Sequence, residues 1–264
     1  MTEDLKQRIR KAVRSHFEDS PDPYDAFEER YGFFGGLTDA LLERMRLAPG
    51  ADVLDIGCGT GASCRRILER LPGSRVWGLD FSPAMLAKAR SSVAVAPGRL
   101  HLVEGDAGSL FDAVRGPFDG IIYSASIFLV PDFEKSLDQA RRLLRSGGSL
   151  GLTFMDGVYD RRGNNAFAAA EDELRTGISL KKPVRLDRLQ QVFEQVFADA
   201  CCDRLGIPAS RSFLTDFFSV PAMSAGLYPG RPYPRRLQKV QRMIHHFEDT
   251  DHEFRWILMT GGSS

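Results

Sequence analysis

The chain has 264 residues, 43% of them hydrophobic and 27% charged, with 35 basic and 35 acidic side chains and a formal net charge of zero. These are the proportions of a globular chain with room for one large domain, and the missing basic excess argues against a dedicated nucleic-acid binder. No apolar run approaches the ~20 residues of a membrane span, and the charged start MTEDLKQRIRKAV lacks the apolar centre of a signal peptide, so a cytoplasmic protein with four reduced cysteines is expected.

Residues 3–18 carry Leu5, Ile9, Val13 and Phe17 at four-residue intervals among charges, the pattern of an amphipathic helix. The aromatic-rich stretch DSPDPYDAFEERYGFFGG opens on prolines and closes on glycines. Thr38 to Met45 reads as a helix with Leu41, Leu42 and Met45 on one face, broken by APG at 48–50. Strands and helices then alternate. ADVLDIG is a strand, ASCRRILERL a helix stopped at Pro72 and Gly73, and RVWGLD the next strand. SPAMLAKARSSV is a helix with Ser82 as N-cap and Pro83 at its first position. LHLVEGD is a third strand, Ser109 to Val114 a short helix, and FDGIIYSA a fourth strand. FEKSLDQARRLLRSGG reads as a helix with Gly147–Gly148 as a left-handed C-cap, and SLGLTFMD as the fifth strand.

This alternation implies βαβ units and a mainly parallel, doubly wound sheet. After about residue 156 the rhythm breaks, with a helix over Asn165 to Arg175 in a stretch that has no strand signal. VRLDRLQQVFEQVFADAC is a strong amphipathic helix through Leu186, Leu189, Phe193, Val196, Phe197 and Ala200. Cys201 and Cys202 fall near its end and are expected to pack as small hydrophobes. Residues 205–247 are rich in aromatics and prolines, and EFRWILMTG closes the chain as a strand.

Three glycines, Gly57, Gly59 and Gly61, follow the first strand in VLDIGCGTG. In an open parallel sheet, ligands bind beyond the carboxyl ends of the strands, and glycine lets a ligand approach the backbone closely. Dinucleotide folds space these glycines as G-x-G-x-x-G; here the spacing is G-x-G-x-G, preceded by Asp55. The stretch resembles the first motif of the class I methyltransferases that bind S-adenosylmethionine. The resemblance continues in VWGLDFSPAML, where Asp80 is placed to bond the ribose hydroxyls and Phe81 to pack on adenine. VEGDAGSL offers Asp106 and Ala107 near the adenine amino group, and YSAS offers Ser124, Ala125 and Ser126 beside the methionine moiety. Taken singly, Asp80 reads equally as a helix-start residue, Asp106 as a turn former, and the serines as strand-end polars. Four such elements in order, each at a strand's carboxyl end, carry the resemblance over residues 38–156 and the last strand at 253–260.

The resemblance implies a seven-stranded, mainly parallel sheet with helices on both faces and an antiparallel last strand. It also implies an N-terminal helical lid over 1–37, and a methyltransferase domain over 38–264 with cap insertions at about 157–182 and 205–247. Its cofactor would be S-adenosylmethionine, with Asp55, Gly57, Cys58, Gly59 and Gly61 at the methionine end. An NAD-dependent dehydrogenase is the rival that NADH binding would reveal. The sequence departs from the family's small-molecule enzymes where Ile127 and Phe128, not histidine, follow Ser126. No N-P-P-Y or D-P-P-Y tetrapeptide and no convincing metal-ligand set occurs.

A sulfonium already activates its methyl group, so the enzyme mainly holds a nucleophile in line at ~3 Å in a dry pocket. Candidate walls are Tyr24, Phe27, Tyr31, Phe33 and Phe34, beside Gly32, Gly35 and Gly36 read as flexible. Tyr24 and Tyr31 are candidates to touch cofactor or substrate, unless these aromatics merely pack the lid. Phe213, Phe217, Phe218, Met223, Tyr228 and Tyr233 read either as a pocket for an apolar or aromatic small molecule or as a satellite core. His245, next to His246 late in RRLQKVQRMIHHF, is a candidate base or a cation at a helix C-terminus. Arg231, Arg235, Arg236, Lys239 and Arg242 read as an RNA or partner surface or as a solvated helix face. The leading expectation is a small-molecule methyltransferase, monomeric or homodimeric. The alternatives are an RNA or protein methyltransferase and a non-catalytic S-adenosylmethionine-binding protein.

Overall fold

A computed structural model describes residues 2–180, 182–248 and 252–263. Seven strands form one sheet: β1 (Asp52–Ile56), β2 (Arg75–Asp80), β3 (Leu100–Glu104), β4 (Phe118–Tyr123), β5 (Leu144–Tyr159), β6 (Cys201–Ala209) and β7 (His252–Gly262). Their order is β3-β2-β1-β4-β5-β7-β6, parallel from β3 to β5, with β7 antiparallel. Val53 lies opposite Val76 on one side and Gly120 on the other. Val53, Leu54 and Ile56 are fully buried, as a central parallel strand covered on both faces requires. Each contributes about 1.5–3 kcal/mol of apolar burial. The strand order reverses at β1/β4, which puts the glycine stretch at the topological switch point.

The helices are α1 (Glu3–Glu18), α2 (Pro21–Tyr31), α3 (Phe33–Met45), α4 (Ala62–Arg70), α5 (Pro83–Ser92), α6 (Leu110–Ala113), α7 (Phe133–Leu143), α8 (Ala166–Leu174), α9 (Leu186–Val196), α10 (Arg211–Ser219), α11 (Pro221–Ala225) and α12 (Tyr233–His246). Ser82 caps α5 as its sequence predicts, its Oγ accepting the Met85 N–H at 3.2 Å. No helix among the described residues is long and apolar enough to cross a membrane.

Three local expectations are overturned. The helix expected from Thr38 begins at Phe33, so the 37/38 boundary falls inside α3, and Gly35 and Gly36 are helical rather than flexible. The cause is Glu28, whose carboxylate accepts the N–H groups of Phe34 (2.7 Å) and Gly35 (3.0 Å), amides that the first turn would otherwise leave unpaired. Gly147–Gly148 do not cap a helix. The helix α7 stops at Leu143 and β5 starts at Leu144. Gly147 keeps a φ of +77°, but its N–H donates to Ser263 O, and Ser263 N–H donates back to Gly148 O, both at 2.7 Å. The helix expected to reach Ala200 ends at Val196, and Cys201 and Cys202 begin β6, both exposed rather than packed. Half-buried Asp203, Leu205 and Ile207 give β6 its period of two. Its Asp, Gly and Pro are poor strand formers, tolerated because the strand lies at the sheet edge.

The chain divides into two compact units: Met1–Phe154, Pro183–Asp203 and Leu258–Ser264, and Met155–Lys182 with Arg204–Ile257. In the first, α3 packs on α4 beside the central strands. The second is built on aromatics. Phe217 meets Phe218 at 4.9 Å and Phe254 at 5.0 Å, and Phe167 meets Phe218 at 5.0 Å and Phe247 at 5.1 Å, in edge-to-face pairs. Phe213, Phe217, Phe218 and Tyr228 are buried in this packing, and the Tyr228 hydroxyl bonds Thr176 and Met243. They form a core rather than an open pocket wall.

A Cβ on Gly78 would lie 2.8 Å from Cys64 Sγ and 3.0 Å from Cys58 Sγ, whereas one on helical, exposed Gly36 meets nothing within 4 Å. Gly78→Ala should therefore cost about 1–3 kcal/mol by overpacking. Gly36→Ala should add about 0.5–1 kcal/mol through helix propensity. Thermal unfolding reads both, and a destabilised Gly36→Ala variant would contradict the open, helical setting of Gly36.

Candidate active site

Gly57, Gly59 and Gly61 all have positive φ, at +75°, +55° and +88°, a conformation that side chains rarely adopt. Space is also short. A Cβ on Gly57 would lie 2.5 Å from Ser126 Cβ, and one on Gly61 would lie 2.6 Å from Val93 Cγ2. The Gly57 and Cys58 amides donate to Leu79 O, which ties the loop to the end of β2.

Asp80 sits where these loops meet. Its Oδ2 accepts the Gly59 N–H and its Oδ1 the Ser82 N–H, each at 2.9 Å. Each oxygen keeps a lone pair for a further donor. Asp80 is 6% exposed, and burial, opposed by these amides, pushes its carboxyl up to about 6. Asp55 is fully buried at the end of β1. Its Oδ2 accepts from Ser63 Oγ and from Cys64 Sγ (3.2 Å), while Oδ1 has no hydrogen-bond partner. Burial pushes it up to about 6 as well, with the Asp80 charge adding to the effect. Cys58 is buried too. Its contact with Cys64 favours the thiolate, but burial and the two carboxylates prevail and raise the thiol to about 11.

Two buried carboxylates with spare acceptor sites suit a ligand that brings hydroxyl and amino donors. They oppose a pyrophosphate, which would add like charge in a low-dielectric site, and the Gly59 amide is already taken by Asp80. The donor set fits S-adenosylmethionine and not a dinucleotide.

The family described as a methyltransferase domain matches residues 53–148. Residues 53–148 are a class I methyltransferase domain. The cofactor of that family is S-adenosylmethionine. Among relatives, the trans-aconitate 2-methyltransferase of Deinococcus radiodurans is 31% identical over 157 residues, 60% of this chain and 57% of its own length. The nocamycin O-methyltransferase of Saccharothrix syringae is 37% identical over 124 residues, 46% of this chain and 44% of its own. The chain thus spans about half the length of the curated relatives it matches. The Haemonchus contortus phosphoethanolamine N-methyltransferase 2, solved with S-adenosyl-L-methionine, shares the fold with a TM-score of 0.56 at 19% identity, over 86% of this chain and 52% of that one.

The methyltransferase loop is covered from the N-terminal side. Tyr24 of α2 stacks on Phe34 of α3, with centroids 4.4 Å apart and planes 9° apart, and its Cε1 lies 4.0 Å from the Cβ position of Gly59. Burial, then the charges of Glu28, Asp80 and Asp55, raise its phenol well above the ordinary value. Tyr31 tilts on Phe27 at 4.8 Å beneath the Arg30 guanidinium. Phe81, Glu104, Gly105 and Asp106 line a cavity of about 890 Å3 together with residues of α1. Asp106 caps a 3-10 turn that contains Ala107, accepting the Gly108 N–H at 2.7 Å.

The serines after β4 are engaged within the protein. Ser124 Oγ lies 3.1 Å from Thr38 Oγ1, and Ser126 Oγ donates to Ile56 O at 2.6 Å. Between them Ala125 is held at a φ of +54°, its N–H donating to Thr153 Oγ1 at 2.7 Å. A non-glycine residue in that region is strained, and here the strain lies at the strand end facing the glycine loop.

His245 lies on α12 of the second unit and is exposed, and its neighbour His246 pairs with Glu173 at 2.8 Å. Arg236 is buried and donates to Arg231 O and Pro221 O. Lys239 bonds Thr176 O beside the Tyr228 ring. Two of the five cations in the expected basic surface are thus spent inside the fold. Sequence reasoning missed Glu28, Thr38, Ser63, Cys64 and Thr153. Ser63 and Cys64 carried one weak signal, their place in the first turn of the helix that follows the glycine loop.

Two outcomes follow for cofactor affinity, both read by calorimetry with S-adenosylhomocysteine. Asp80→Ala should weaken binding by about 1.5–3 kcal/mol, the scale of hydrogen bonds to a charged group. In the wild type, donors bind the ionised form of a carboxyl raised to about 6. Affinity should therefore level off about one unit above pH 6 and fall at least about tenfold per unit below it, more steeply if Asp55, also raised to about 6, contributes. A flat profile from pH 7.5 to 5 contradicts this role for Asp80.

Proposed function

We propose that this chain transfers a methyl group from S-adenosylmethionine to a small, apolar or aromatic metabolite by in-line displacement. The observation that carries the reading is Asp80, buried and held by amides of two loops, beside an Asp55 oxygen without a partner. When bound, the cofactor supplies a methyl group activated by the sulfonium. The chain's residues supply position. Asp80 accepts the ribose hydroxyls, the unpartnered Asp55 oxygen accepts from the ammonium end, and the glycine backbone leaves room for the ligand between them.

Tyr24 and Phe34 exclude water as a stacked pair, which strengthens every polar contact beneath them. With its phenol raised, Tyr24 stays protonated at neutral pH and acts as a hydrogen-bond donor, not as a base. The helices α1 and α2 serve as a lid on this reading. Partly exposed Phe128, edge-on to Phe154 at 5.8 Å, gives the first unit an apolar surface suited to an apolar acceptor. The relatives named for trans-aconitate and nocamycin support a small-molecule acceptor.

Incubation with methyl-labelled S-adenosylmethionine and a panel of phenols, quinols, apolar acids and bulk RNA tests this. Label should enter an apolar or aromatic small molecule, and Tyr24→Phe should lower kcat/KM about tenfold by removing one donor. Label in RNA alone overturns the small-molecule reading. Tight cofactor binding with no label transferred to any acceptor favours a binding protein.

A further inference from the structure

The helix α1 fully buries no residue; Ile9, Val13 and Phe17 are half-buried, and the helix packs on α5. Charge ties it down further. Lys6 and Arg10 both pair with Asp132, a carboxylate only 9% exposed, and Arg14 pairs with Glu104 at 3.2 Å. Arg10 reaches further. Its Nη1 lies 3.1 Å from Glu3, and its Nε lies 3.2 Å from Asp106 Oδ2. That Nε is buried and has no hydrogen bond in line, although the carboxylate is in contact with it. Arg10, Asp106 and Asp132 converge above Gly108, whose Cβ position lies 3.3 Å from Asp106 Oδ1, 3.4 Å from Asp132 Cβ and 3.6 Å from Arg10 Nη2. The same guanidinium lines the cavity with Phe81 and Asp106.

We propose that Arg10 is a positioning residue for nucleobase selection: anchored by Asp132, it fixes the Asp106 carboxylate as an acceptor for the exocyclic amino group of adenine. The proposal rests on the cofactor reading above. An ionised carboxylate only accepts hydrogen bonds. It is matched by an amino group, while a carbonyl at the same place leaves two acceptors facing each other. With its side chain 43% exposed, Asp106 turns back to water when the mismatched ligand binds, so the discrimination expected here is of the order of tenfold rather than the large factor of a fully buried site. Without the guanidinium the Asp106 side chain keeps only its bond to the Gly108 amide and turns freely about it.

Calorimetry on the full chain tests this with two ligands, S-adenosylhomocysteine and S-inosylhomocysteine, whose base carries a carbonyl in place of the amino group. Wild type should prefer the adenosyl ligand at least about tenfold. Arg10→Gln and Asp132→Asn should each lower adenosyl affinity about tenfold while leaving inosyl affinity nearly unchanged, so that the preference collapses. Arg10→Lys, which keeps the charge, should recover part of it. Equal weakening of both ligands, or an unchanged ratio, overturns the assignment and leaves α1 a structural strap. Wild-type protein that binds neither ligand overturns the cofactor reading, and the role of Arg10 with it.

Discussion

The site depends on one buried carboxylate. Asp80 ends β2, yet it bonds the Gly59 amide beyond β1 and the Ser82 amide at the start of α5. An ion in so dry a place is costly unless donors surround it. The two amides offset part of that cost, and burial still raises the carboxyl to about 6, which fits the binding role proposed for it. Everything around the loop serves this arrangement. Three residues at positive φ bring the Gly59 amide to Asp80, and Gly78 leaves room beneath for the sulfurs of Cys58 and Cys64.

The covering layer works by a similar economy of charge. Glu28 is buried in the last turn of α2, from where its oxygens satisfy two amides of the α3 first turn. That bond joins the lid helix to the domain and sets the Tyr24–Phe34 stack against the glycine loop. By contrast α1 is held through ion pairs with Asp132, Asp106 and Glu104. The Arg14–Glu104 pair is exposed, individually weak and screened by salt, whereas Asp132 is only 9% exposed, so the hold on α1 centres on Asp132.

Much of the candidate site was readable only as an ordered set, because each of its acids taken singly has another use. Alternate glycines after an apolar run, an acid closing the next strand and another after the third point together to the switch point. The alternation of strands and helices specified the parallel half of the sheet for the same reason, since each period of two or 3.6 is a local property of the chain. The edge strand β6 was hidden because CCDRLGIPA has weak strand propensity, and sheet pairing overrides propensity.

The sequence by itself determined the doubly wound fold and the place of the glycine loop at the end of its first strand, because these follow from backbone stereochemistry and short-range pattern. Only the tertiary structure decided what each side chain meets. Ser126 fills the space over Gly57, Glu28 makes a helix of Gly35 and Gly36, and Arg236 and Lys239 turn inward from a run that reads as a basic surface. Tyr24 and Arg10 come from the first 31 residues to loops 35 to 122 positions further on. Contacts at such separations leave no period in the chain, because they are set by how packed elements meet, not by spacing along the backbone.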